Sequence, residues 1–183
     1  MSLTNREALL TSLEQVVEQH LQVAVRQFQN LDDTSLLKPA PDGGWSIAQC
    51  LAHLTSYGNY YLPRIKQALA AQPHAPARNS VSGNWLGRYF IRLMDPTASA
   101  KKFKAARQHR PESNLSGHTV VAEFIQQQEE LLFYLRQARQ VDLDAIRIPV
   151  SVALWLRLNL GDLFQFLIVH DERHLLQARR NLL

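Results

Sequence analysis

A single cysteine, Cys50, in 183 residues removes whole classes of architecture at once. It has no partner for an internal disulfide, and a thiolate metal site would need other ligand types beside it, so Cys50 reads as core filling and stability must come from packing. The chain begins MSLTNREALL, without an apolar segment behind a basic start, which predicts no secretory signal and a cytoplasmic protein. Its longest apolar region, VALWLRLNLGDLFQFLIV, is broken by Arg157, Asn159 and Asp162, residues too expensive at bilayer depth for a membrane partner to be expected. Also missing are a glycine-rich phosphate loop, a readable Ser-His-Asp arrangement, an internal repeat, and strand-like alternation flanked by hairpin turns.

Excess charge is small, a formal +4, and its one concentration is KKFKAARQHR, Lys101 to Arg110. That run has no nucleic-acid-binding motif and few interleaved aromatics for base stacking, so it reads as a solvated basic loop or helix and no nucleic acid is expected as a partner.

What the chain does have is 46% hydrophobic residues in helical order. This suffices for a buried core and fits one globular domain, residues 1–183. From about Leu3 to Asn30, apolar residues recur at threes and fours, which predicts a first helix. LDDTSLLKPAPDGG then reads as a connecting loop, after which Ser46 or Asp42 caps a second helix running to about Ala71, with Pro63 a potential kink. A long proline-containing connection follows, with Trp85 to Met94 as a short helix within it. SGHTVVAEFIQQQEELLFYLRQARQ gives a third helix, and Asp162 to about Asn181 a fourth. The expected fold is all-α, a four-helix bundle with a long connection between its second and third helices.

The chemistry-bearing stretch is FLIVHDERHLLQ, Phe166 to Gln177. At 100° per residue Leu160, Leu163, Leu167, His170, His174 and Ala178 share one stripe, so two histidines stand where core leucines would. Buried imidazoles cost free energy unless their nitrogens are paired, and two protonated rings one turn apart repel. A metal ion resolves both problems, because neutral imidazole is a common ligand; hydrogen bonds to Asp, Gln or backbone are the alternative. Asp171, at the edge of the stripe, reads as a surface acid or local salt-bridge partner rather than an acceptor orienting a ligand. Tyr57 and Gln177 are candidates for lining a cavity.

A catalytic metal generally needs a third protein ligand. His74 and His109 read as exposed loop residues, His118 falls at the start of the third helix, and His20 and His53 lie within helices. GGWSIAQCLAHL, followed much later by FLIVHDERHLLQARR, resembles the DinB-like family, which includes YfiT-like proteins. The likeness extends over most of the chain: a loop ending in W-S, a second helix with H-L, a long connection, and a last helix with H-D-x-x-H and a following Gln.

That resemblance implies a four-helix bundle of DinB/YfiT-like type holding a divalent metal with three histidines. By position they are His53, His170 and His174, with His20 a structural residue or an outside alternative. It further implies a metalloenzyme with a transferase reaction in which a low-molecular-weight thiol attacks a small-molecule substrate; three imidazoles accept zinc, nickel, iron or copper, and zinc or nickel is the expected ion. It also suggests a homodimer, to which apolar residues of Trp85 to Met94 would contribute. The competing expectation is a non-catalytic metal- or ligand-binding dimeric bundle acting in a stress response.

Overall fold

The apolar repeats become the buried stripes of four long helices. A computed structural model of the chain describes residues 4–72, 78–98 and 104–182. The long helices are α1 (Arg6–Val23), α3 (Ile47–Ala70), α5 (Gly117–Gln137) and α6 (Leu160–Arg179), and two short ones, α2 (Asp33–Leu37) and α4 (Trp85–Met94), lie in the connections. The basis of their start points is local. Asn5, Asp32, Ser46, Asn84 and Asn159 each accept a backbone N–H of the first turn, satisfying a donor the helix itself cannot pair. At Ser46 the cap is reciprocal, since Gln49 Oε1 also accepts from the Ser46 N–H at 3.0 Å. Gly43, at φ +75°, turns the chain into that cap from a backbone region where a side chain is rarely tolerated.

Packing does not follow chain order. α1 lies against α5 and α6, and α3 lies against the same two, so the helices run α1–α5–α3–α6 around the bundle. Leu10, Val17, Ile65, Leu135 and Leu163 contribute one fully buried cluster, and Ala24, Phe28, Leu51, Phe124 and Leu175 belong to a second. α3 passes through Pro63 without a break. Beside it Gly58 is required by close approach: a Cβ there would come within 1.8 Å of Gln127 Oε1 on α5.

Four local features differ from the sequence expectation. The first helix ends in a π-helical segment, Ala24–Phe28, and the loop after it contains α2. Strands occur: β1 (Thr4–Asn5) pairs with β2 (Ser80–Val81), and β3 (Arg147–Val150) forms an antiparallel hairpin with β4 (Ala153–Asn159). The apolar run that reads as one region, VALWLRLNLGDLFQFLIV, is therefore half strand and half helix. Ile148, Val150 and Leu158 of the hairpin join the core, whereas Leu154 and Trp155 face outward. The fourth helix begins at Leu160, whose N–H donates to the carbonyls of Leu143 and Ile146. No helix among the described residues is long and apolar enough to cross a membrane.

Candidate metal centre

α3 and α6 are neighbours, and their contact brings His53 against His170 and His174. One ring nitrogen from each of the three lies within 4.8 Å of the others. His53 Nε2 and His170 Nε2 are 3.2 Å apart. Two imidazole nitrogens on one tetrahedral ion at about 2.05 Å each would stand about 3.3 Å apart, so this spacing fits one edge of a coordination shell.

Hydrogen bonds determine which nitrogens are free. His53 Nδ1 is 2.6 Å from the His109 carbonyl, which can only accept, so Nδ1 carries the proton and Nε2 presents a lone pair. His174 Nδ1 likewise donates to Gln177 Oε1 at 3.0 Å, leaving its Nε2 unprotonated. His170 Nδ1 is buried without a hydrogen-bond partner among the described residues. The rings are also held sideways: Phe166 stacks on His170 at 5.7 Å, Tyr57 meets it edge-on at 4.6 Å, and Trp45 stacks on His174 at 5.8 Å.

Burial keeps this cluster uncharged. It pushes His170 well below the ordinary imidazole range, helped by the neighbouring His174 and His53. It lowers His174 to about 3, with His53 adding to the effect, and lowers His53 as well. Neutral imidazole is the metal-binding form, so the donors need no deprotonation near pH 7. Burial also raises the Tyr57 hydroxyl to about 12 and the Cys50 thiol to about 12, which makes neither a nucleophile at neutral pH.

His109 corrects the reading of it as an exposed loop residue. It is 3% exposed, at the end of a short 3₁₀ turn, Arg107–His109. The hydroxyl of Ser56 donates to the His53 carbonyl, so its oxygen accepts from His109 Nδ1–H at 3.0 Å. His109 Nε2 then accepts from Ser151 Oγ at 2.8 Å, and Tyr57 stacks on the ring at 3.8 Å. With every polar atom engaged and its pKa lowered to about 4, chiefly by burial, the neutral ring pins the carbonyl that orients His53. Sequence offered no signal for this, since the partners lie on α3 and in the β3–β4 turn.

Asp171 corrects a second reading. It is buried, accepts from Gln128 Nε2 at 2.9 Å, and is raised to about 6 by desolvation. His20, the outside alternative, is buried away from the cluster in a 2.9 Å pair with Glu172. His118 is exposed beside Asp33, and His74 lies outside the described residues.

A family model, that of the DinB superfamily, matches residues 16–178. The chain belongs to the DinB superfamily. Within it, the W-S of GGWSIAQCLAHL is explained by position: Ser46 starts α3 and Trp45 packs on the histidines. Among solved structures, this DinB-superfamily chain is similar to YfiT from Bacillus subtilis, described as "a probable metal-dependent hydrolase with an unusual four-helix bundle topology". The two share 14% identity over 96% of this chain and 85% of that one, with a TM-score of 0.54, a likeness of fold. No curated protein matches the chain.

Proposed function

We propose that His53, His170 and His174 hold one divalent metal ion, zinc or nickel, in an enzyme acting on a small-molecule substrate. The observation that carries this is the convergence of three neutral imidazoles whose free Nε2 positions at His53 and His174 are fixed by hydrogen bonds on the opposite nitrogen. In this apolar setting the unprotonated Nε2 atoms of His53 and His174 face His170, a neutral ring with a single N–H to offer, whereas a cation shared by the three rings would engage a lone pair from each. The description of YfiT as metal-dependent supports the same reading.

Such an ion supplies Lewis-acid chemistry that lowers the pKa of a bound nucleophile. The residues around it favour a thiol. Glu172 is committed to His20 and Asp171 to Gln128, so neither of these acids is aimed at the centre as a general base. A thiol starts near pKa 8.5 and needs only about a unit or two of lowering, whereas water starts at about 15.7. The finer reading is therefore transfer of a low-molecular-weight thiol to an electrophilic carbon: the C–S bond forms as the carbon's bond to its leaving group breaks, that group departs with the electron pair, and the thiol proton leaves to solvent. Water is the competing nucleophile, favoured by the description of YfiT as a hydrolase. Pairing of two copies belongs to the same proposal, supported by Trp85 and Tyr89, which stand exposed one turn apart on α4.

The test is metal content of untagged protein beside His53→Ala, followed by consumption of several cellular thiols with electrophilic substrates. One equivalent of metal, lost in the variant, is expected. Undiminished metal in His53→Ala removes that residue from the centre. Bound metal without thiol-dependent turnover leaves hydrolysis or a non-catalytic binding module.

A further inference from the structure

Trp45 separates the histidine cluster from a second space. On one side its indole lies 4.9 Å from the His53 ring and stacks on His174. On the other it lines a cleft of about 520 Å³ together with Gln49, Lys104, Ala105, Arg110 and Pro111. That volume falls in the range of small-molecule pockets, roughly 300–1,000 Å³.

Among the described residues the lining contains two cations and no acid. Neither Lys104 nor Arg110 has an ion-pair partner among the described residues. Arg110 Nε donates to the Ala105 carbonyl at 3.1 Å, which fixes the guanidinium and leaves its terminal nitrogens to meet a ligand. The amide oxygen of Gln49 is used in the helix cap, so its NH₂ is the end left to donate.

Two exposed cations on a connecting segment are ordinarily solvated and carry no information. Here the segment is not loosely tethered. His109, adjacent to Arg110, is locked between Ser56 and Ser151, and Trp45 is held from the far side by Asn181 Nδ2, which donates to its carbonyl at 2.9 Å. Both walls of the cleft are thus fixed to the bundle, and one wall is shared with the candidate ligands.

We propose that this cleft receives the charged end of a small organic anion, a carboxylate or a phosphate, on Arg110 and Lys104. The apolar part of the same molecule lies along Trp45 towards the histidines. The role of the cleft as a substrate subsite rests on the metal-centre reading; its preference for anions does not.

The probes are phenylacetate, phenyl phosphate and neutral phenylacetamide, titrated calorimetrically into zinc-loaded and chelator-stripped protein. At least one anion is expected to bind tenfold or more tightly than the amide, in both forms, with the preference weakening as salt rises. Carboxylate and phosphate are distinguished by which of the two is preferred. The double variant Lys104→Gln/Arg110→Gln should lose the preference while keeping its zinc, and Arg110→Lys should keep part of it. Equal binding of acids and amide, or an unchanged double variant, overturns the proposal. So does a preference that disappears with the metal, because the anion would then be sitting on the ion. Protein that takes up no stoichiometric zinc yet still discriminates supports the cleft while sinking the metal reading.

Discussion

Replacing His109 by alanine removes no candidate ligand, yet it should weaken metal binding. The side chain makes two hydrogen bonds, to Ser56 and Ser151, and a 3.8 Å ring stack with Tyr57. At about 1 kcal/mol for each bond and about 0.5–1.5 kcal/mol for the stack, the anchor amounts to about 2.5–3.5 kcal/mol. That anchor holds the carbonyl that accepts from His53 Nδ1 at 2.6 Å, fixing the tautomer and the direction of Nε2. Loss of such an outer partner ordinarily lowers metal affinity about 10- to 100-fold, equivalent to about 1.4–2.7 kcal/mol, which lies within what the anchor can supply. Zinc affinity would be measured by competition with a chromophoric chelator, and urea unfolding in parallel on metal-free protein. His109→Asn, which keeps a donor near the Nδ1 position, should recover part of the affinity. If His109→Ala loses stability but binds zinc within twofold of the parent, the ring merely fills space and the positioning argument is wrong.

Acid should destabilise the metal-free protein. The folded-state pKa of His174 is about 3 against an ordinary 6.5, and those of His53 and His170 are shifted in the same direction. Below pH 6.5 the unfolded chain therefore binds more protons than the folded one, so stability falls as pH drops towards the folded values, by up to about 1.4 kcal/mol per pH unit for each histidine. Urea midpoints at pH 7.5, 6.0 and 5.0 measure this, and a flat series would contradict the burial of the cluster. Gly58→Ala should cost about 1–3 kcal/mol, because the new methyl group displaces Gln127 from its bonds to Thr55 O and Asn59 Oδ1; a melting temperature within a degree of the parent would show that α3 and α5 can separate locally.

Periodicity made the bundle legible, and it did so where a helix buries one stripe along its length. Trp85 to Met94 was readable only as a short helix within the long connection, and the alignment of His170 with His174 follows from helix geometry alone. The β3–β4 hairpin was not readable, because Asn159 ends the strand, Leu160 begins α6, and no turn residue such as Gly or Pro separates them. The order of helices around the bundle is also absent from local pattern, since each stripe states that a face is buried but not against which partner. His109 and Asp171 were misplaced for a related reason. Their surroundings in sequence are polar, and the groups that make burial tolerable, Ser151 for one and Gln128 for the other, are 42 and 43 residues away.

The order α1–α5–α3–α6 has a consequence for synthesis. A nascent chain that stops before Leu160 contains three of the four long helices but only one of the three clustered histidines, His53. His53 and His170 are 117 residues apart in the chain, and the last helix must dock between α1 and α3 before they meet. Until then the imidazole on α3 is a lone donor in a half-built groove, unable to retain the wrong ion tightly. If the three histidines hold a metal as proposed, its selection is deferred to the final docking event, when the rings, their hydrogen-bond partners and the wall formed by Trp45 are all in place.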